Sequence, residues 1–135
     1  MIYLDTSALV KQIRIEADSA ALAEWLNARL EIPWVTSVLT EVELPRAIRA
    51  VAPEGLPAVP SVLARLNRFE IDSLVRSTAA TYTAPAMRSL DAIHLATAQT
   101  ASADTPLTTF VTSDSRLAAA VQAIGIPTVS PGRQQ

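Results

Sequence analysis

The residues of this chain best suited to chemistry are acids: Asp5, Asp91, Asp114 and one of the pair Glu41 and Glu43. They come from four separated segments. Carboxylates gathered at one place repel each other and cost stability unless a cation sits between them. A hard divalent cation gives such a cluster a purpose. Magnesium is held by one or two carboxylates together with waters and substrate phosphates. It lowers the pKa of a bound water and stabilises charge on a leaving oxygen, which suits phosphodiester hydrolysis.

Composition narrows the alternatives. The chain has 135 residues and no cysteine, which excludes disulfides, a thiol nucleophile and thiolate metal sites. Its single histidine, His94, excludes a multi-histidine zinc site and a histidine pair for acid–base work. A metal must then be held by oxygen ligands, which points to Mg²⁺ or Mn²⁺. The net charge of −2 rules out a polycation that grips nucleic acid everywhere. Lys11 is the only lysine and every other basic residue is arginine, the better bidentate phosphate partner. Half of the residues are apolar, which fits a folded chain with one hydrophobic core. No apolar run approaches the roughly 20 residues of a membrane span. The start, Met1-Ile2-Tyr3-Leu4-Asp5, lacks the basic region of a signal peptide. The expectation is a soluble, cytoplasmic protein with no membrane contact.

The elements that must position the acids alternate along the chain. Residues 2–4 form an apolar run ending at Asp5, which reads as a buried strand turning into a helix. A helix is expected over 18–30, a strand over 33–36, and a helix from Ser37 to about Ala52. The segment 52–57 reads as a turn-rich break, followed by a helix near 60–68 and a strand over 69–71. Helices are expected over 73–83 and 89–100, a strand over 110–112, a helix over 115–124 stopped by Gly125, and a last strand over 126–129. Pro45 conflicts with its predicted helix and should kink it or shift its start. Alternating strands and helices argue for a three-layer α/β/α domain with a mainly parallel central sheet. One domain is expected over 1–135, with the last few residues as a flexible tail.

In such sheets ligands bind at the carboxyl ends of the strands. Asp5 ends the first strand, Asp114 follows the 110–112 strand, Asp91 opens a helix, and Glu43 lies early in the helix after the second strand. Four carboxylates can thus meet at one edge. Each also fits a plainer role: Asp5 and Asp114 as helix caps, and Asp91 as an acid favoured at a helix N-terminus. Helical pitch does not choose between Glu41 and Glu43, which flank the Leu44, Ala47, Ile48 and Val51 stripe from opposite sides.

Four segments carry a resemblance to a known family. They are Ile2-Tyr3-Leu4-Asp5-Thr6-Ser7-Ala8-Leu9-Val10-Lys11, Thr36-Ser37-Val38-Leu39-Thr40-Glu41-Val42-Glu43-Leu44, Ser89-Leu90-Asp91-Ala92-Ile93-His94-Leu95-Ala96-Thr97-Ala98 and Val111-Thr112-Ser113-Asp114. In order and spacing the chain resembles the PIN-domain family, and within it the VapC toxins of bacterial toxin–antitoxin pairs. The resemblance implies a metal-dependent endoribonuclease that uses Mg²⁺ or Mn²⁺. It would cut transfer or structured RNA, arrest translation, and be neutralised by a cognate VapB-like antitoxin. It also implies a homodimer, with an antitoxin tail over the acidic pocket and an antitoxin arginine displacing the metal.

The resemblance selects Glu43, leaving Glu41 at the surface, and makes Asp5, Glu43, Asp91 and Asp114 the metal ligands. It gives Ser7 and Thr112 the role of orienting carboxylates or waters through their hydroxyls. Two departures stand out: Pro45 in the Glu43 helix, and Arg116 where some relatives carry another acid. Lys11, Arg46, Arg49 and Arg116 are the candidate RNA contacts, and His94 is expected in a structural hydrogen-bonding role. The alternatives are a non-catalytic PIN-type module that binds RNA or protein, and another metal-dependent phosphate enzyme. Ser7 stands where a haloacid-dehalogenase phosphatase would need a second Asp. The three scattered glycines offer no phosphate-binding loop.

Overall fold

The structure, a computed structural model, describes residues 1–132; the expected tail at 133–135 lies outside them. Strand β1 (Ile2–Leu4) leads into helix α1 (Thr6–Ile13), followed by α2 (Ser19–Asn27) and β2 (Trp34–Ser37). Then come α3 (Thr40–Val51), a 3₁₀ segment (Pro53–Ala58), α4 (Val59–Ala64), β3 (Asn67–Phe69) and α5 (Ser73–Ala79). The chain closes with α6 (Ser89–Ala101), β4 (Thr109–Val111), α7 (Ser115–Ala123) and β5 (Thr128–Val129). All strand pairs are parallel, in the order β3-β2-β1-β4-β5.

Strand β1 is central, and its three residues are buried on both faces. Its alternation sorts the core into two clusters. Ile2 and Leu4 join Leu9, Leu22, Leu26, Trp34, Leu44, Ile48 and Val111 on one face, where α1 to α4 pack. Met1 and Tyr3 join Val35, Leu95, Phe110, Leu117 and Val121 on the other, under α6 and α7. Helices thus cover both faces of the parallel sheet, and the three-layer α/β/α reading is right. Tyr3 and Phe110 stack on neighbouring strands with ring centroids 5.0 Å apart. The edge strand β3 is exposed along its length, as a short polar edge should be.

The chain runs outward from β1 through β2 to β3, then crosses to the far side of β1 to place β4. Between β1 and β4 the direction of winding reverses, which opens a crevice at the carboxyl ends of these two strands. Asp5 follows β1 and Asp114 follows β4, so both stand at this reversal.

Several boundaries differ from expectation. Helix α3 begins at Thr40 rather than Ser37, because Val38 and Leu39 make a turn first. In that turn Ser37 Oγ accepts from the Leu39 N–H at 3.0 Å. Pro45 lies inside α3, which continues through it to Val51; the shift is at the start. The break expected at 52–57 is a 3₁₀ helix: Pro53 opens it where no N–H is required, and Pro57 lies inside it with a φ already near the helical value. Strand β3 ends at Phe69 instead of beginning there, and β5 is only two residues long. Gly125 stops α7 with φ of 86°, as its position implied.

The two cores make a direct test of this packing. Phe110→Ala is expected to cost about 3–5 kcal/mol in urea unfolding. Phe69→Ala, on the exposed edge strand, should change stability by no more than about 0.5 kcal/mol.

Candidate active site

Asp5 is the most constrained acid. It is 4 % exposed at the end of β1 and is the N-cap of α1, accepting from the Ala8 N–H at 3.0 Å. Ser7 Oγ donates to Oδ1 at 2.8 Å and Thr112 Oγ1 donates to Oδ2 at 2.6 Å. The same Thr112 oxygen accepts from the Asp114 N–H at 3.0 Å, and Ser7 Oγ accepts from the Ser113 N–H at 2.9 Å. Ser7 and Thr112 therefore hold Asp5 and join the β1 and β4 ends. Burial still pushes the Asp5 carboxyl above its ordinary value, against the opposing pull of His94, Thr112 and Ser7.

Asp114 is the N-cap of α7, with Oδ1 accepting from the Arg116 N–H at 2.9 Å and the Leu117 N–H at 3.3 Å. Asp91, in the first turn of α6, accepts from the Arg88 N–H at 3.2 Å. Arg116 joins these two acids. Its Nη2 lies 3.0 Å from Asp91 Oδ2 and 3.1 Å from Asp114 Oδ2, while Nη1 donates to the Ala86 carbonyl. The guanidinium is thus the cation between two of the four acids.

Glu43 reaches the same region from α3. Thr6 Oγ1, one residue after Asp5, donates to its Oε1 at 2.6 Å. His94 Nε2 lies 2.7 Å from that oxygen, and His94 Nδ1 lies 2.7 Å from the Tyr3 hydroxyl. The ring is buried, and the network assigns its protons: Nε2–H donates to the carboxylate, and Nδ1 accepts from Tyr3. Burial alone would raise the Glu43 carboxyl, but the bonds from His94 and Thr6 hold it below its ordinary value. Burial also lifts the Tyr3 phenol well above its ordinary value, so it stays a neutral donor.

Contacts therefore link all four acids: Asp5 through Thr112 to Asp114, Asp114 through Arg116 to Asp91, and Asp5 through its neighbour Thr6 to Glu43. Among the described residues, however, no three acid or histidine side chains stand close enough to hold a metal ion. Arg116 occupies the space between one pair, and Glu43 is drawn to His94.

Two of the basic residues expected at RNA are in ion pairs within the chain. Lys11 points at Glu16 (2.7 Å) and Asp18 (2.8 Å), which satisfy its charge within the chain. Arg116 is engaged with the acids rather than held open for phosphate. Arg46 and Arg49 are exposed on α3. Glu41 is a surface residue, paired with Arg68 at 3.0 Å. His94 has the hydrogen-bonding role expected of it. Thr6 and Tyr3 were missed. A tyrosine in a strand otherwise made of aliphatics was the available signal, because its buried hydroxyl must find a partner.

Residues 2–122 match the family model described as the PIN domain. Ribonuclease VapC35 of Mycobacterium tuberculosis is 68 % identical over 133 residues, covering 98 % of each chain. Ribonuclease VapC47 of the same species is 39 % identical over 138 residues, again with 98 % of each chain covered. The crystal structure of FitAcB from Neisseria gonorrhoeae superposes with a TM-score of 0.71 at 20 % identity, covering 99 % of this chain and all of that one. At that identity the likeness shows the fold.

Because Glu43 binds its proton less readily folded than unfolded, its contribution to stability is complete above the ordinary value of 4.5. That contribution is lost as pH falls through the lowered, folded value. His94→Leu should flatten this acid dependence of the melting temperature. His94→Gln, which keeps an N–H donor near Glu43, should retain more of it. Thermal unfolding from about pH 6 to about pH 3 measures both; identical acid limbs in all three proteins would refute the His94–Glu43 coupling.

Proposed function

The chain belongs to the PIN-domain family, among its VapC-type ribonuclease toxins, and on that premise we propose that it cleaves RNA with Mg²⁺ or Mn²⁺ held by Asp5, Glu43, Asp91 and Asp114. The observation that carries this reading is the linkage of all four carboxylates at the crevice between β1 and β4, with a cation already among them.

The donor set fits a hard divalent ion. Every donor is an oxygen, Glu43 is kept ionised by His94 and Thr6, and the Arg116 guanidinium stands in for a cation between Asp91 and Asp114. The bound metal would supply an ionised water and stabilise charge on the phosphate and leaving oxygen. The chain's own groups prepare that chemistry. Ser7 and Thr112 fix both oxygens of Asp5 in one plane, so the carboxylate cannot rotate away. Tyr3 fixes the His94 ring, which in turn aims Glu43. Arg116 must release Asp91 and Asp114 for both to face a metal, and its guanidinium is then free to pair with phosphate.

The substrate is transfer RNA or another structured RNA, and its cleavage inhibits translation. The protein acts in the cytoplasm as a single domain and a homodimer, and is silenced by a cognate VapB-like antitoxin. Among the described residues no helix is long and apolar enough to cross a membrane.

Purified total transfer RNA incubated with Mg²⁺, Mn²⁺ or EDTA tests the reading. Discrete fragments should require the metal, and Asp5→Asn should reduce their rate by about two orders of magnitude or more. Intact RNA in every condition, with no metal binding by calorimetry, would sink the enzymatic reading.

Calorimetry also tests the place given to Arg116. Arg116→Gln should bind Mn²⁺ a few-fold more tightly, since it removes a competing cation. Weaker binding would mean that the guanidinium organises the acids for the metal instead.

A further inference from the structure

Beside the acids lies a cavity of about 400 Å³ between α5 and α6. That is within the range of about 300–1,000 Å³ typical of sites for small ligands. Arg76, Tyr82, Met87, Arg88, Ser89 and Ile93 line it. The cavity and Asp91 share the first turn of α6, where the Arg88 N–H donates to Asp91 Oδ2. The loop that carries Arg88 is tied to the site from the other side, since Arg116 Nη1 donates to the Ala86 carbonyl.

The two arginines are set apart from most of the chain's cations by what they lack. Lys11, Arg14, Arg68 and Arg116 are in ion pairs with acids. Arg29 and Arg65 lie over the Trp25 and Trp34 rings. Arg76 and Arg88 are exposed, and among the described residues neither is in an ion pair. Two guanidiniums with no internal counter-ion thus line one cavity next to an acidic centre.

Tyr82, Met87 and Ile93 supply large apolar side chains to the lining. Tyr82 is half-buried, and its hydroxyl donates to Gln99 Oε1 at 2.5 Å, which fixes the ring. An aromatic ring beside arginines is the combination that holds an unpaired base by stacking and its backbone by charge.

We propose that this cavity is a nucleotide subsite, taking one unpaired base of the RNA against Tyr82, Met87 and Ile93 while Arg76 and Arg88 pair with the adjoining phosphate. The subsite rests on the ribonuclease reading above and adds where the strand lies beside the carboxylates. It moves the RNA contact from Lys11, which is satisfied within the chain, to the α5–α6 face.

The test measures transfer RNA cleavage, and binding of a short fluorescent single-stranded oligoribonucleotide in EDTA, for the full chain and its variants. Arg76→Gln and Arg88→Gln should each weaken oligoribonucleotide binding about fivefold and reduce the slope of log affinity against log salt by about one. Both should raise KM for transfer RNA more than they lower kcat. Tyr82→Ala should weaken binding, while Tyr82→Phe, which keeps the ring but loses its bond to Gln99, should weaken it clearly less. Arg29→Gln, stacked on Trp25, is the control and should bind normally.

Unchanged affinity, salt slope and KM in the arginine variants of an active parent would overturn the subsite and leave the ribonuclease reading standing. A parent that neither cleaves nor binds RNA would overturn both. If the arginine variants instead convert a dimer to a monomer in sedimentation with RNA affinity unchanged, the cavity is a contact between copies and the subsite is wrong.

Discussion

Burying a carboxylate at the end of the central strand is the constraint on which this molecule turns. Asp5 is almost fully withdrawn from water, so each of its oxygens must be met by the protein. The donors come from three places: the first turn of α1, the Ser7 hydroxyl, and Thr112 beyond β4. Meeting that demand brings the β1 and β4 ends into contact across the point where the sheet reverses its winding. The carboxylate nevertheless remains reluctant to ionise, because its donors do not fully repay the lost hydration. A cation beside such a carboxylate would favour its ionised form.

The capping role of the aspartates and the metal-binding role proposed for them call for the same placement. Asp5 and Asp114 cap α1 and α7, and Asp91 accepts from a backbone N–H at the start of α6. Helix starts after parallel strands lie at the carboxyl edge of the sheet, so a capping acid is delivered to that edge by the fold itself. The positive ends of the helices then offset part of the repulsion among the acids. Glu43 does not arrive this way. It projects from the first turn of α3 without capping it, and depends on a side-chain relay, Tyr3 to His94, that crosses from β1 to α6. Three acids are placed by backbone and one by a buried hydrogen-bonded pair.

That difference explains what could be read in the residues. The apolar run Ile2-Tyr3-Leu4, the alternation of strands and helices, the stop at Gly125 and the acids at strand ends are local signals, and the layers and the edge followed from them. Glu43 was chosen over Glu41 only by resemblance, because helical pitch places both beside the same stripe. The structure separates them through partners distant in sequence: His94 for one, Arg68 for the other. The engagement of Lys11 and Arg116 was equally hidden, since an arginine's partner is set by where its long side chain ends. Start and stop shifts in α3 and β3 come from turn bonds, such as Ser37 to Leu39, that periodicity does not record.

Arg116 shows how such a site can fold before it is loaded. Bringing Asp91 and Asp114 together without a counter-ion would oppose folding. A guanidinium two residues beyond Asp114 is carried there by the same helix turn that Asp114 caps, so it adds no separate ordering of the chain. Being charged at every physiological pH, it offsets one of the two charges of the pair. It is also partly exposed to water, where an arginine–carboxylate bond is weaker than a buried one and can be exchanged. A buried cation would have closed the crevice permanently. A partly exposed one offsets the repulsion of the acids and could still give way to the metal proposed for the site.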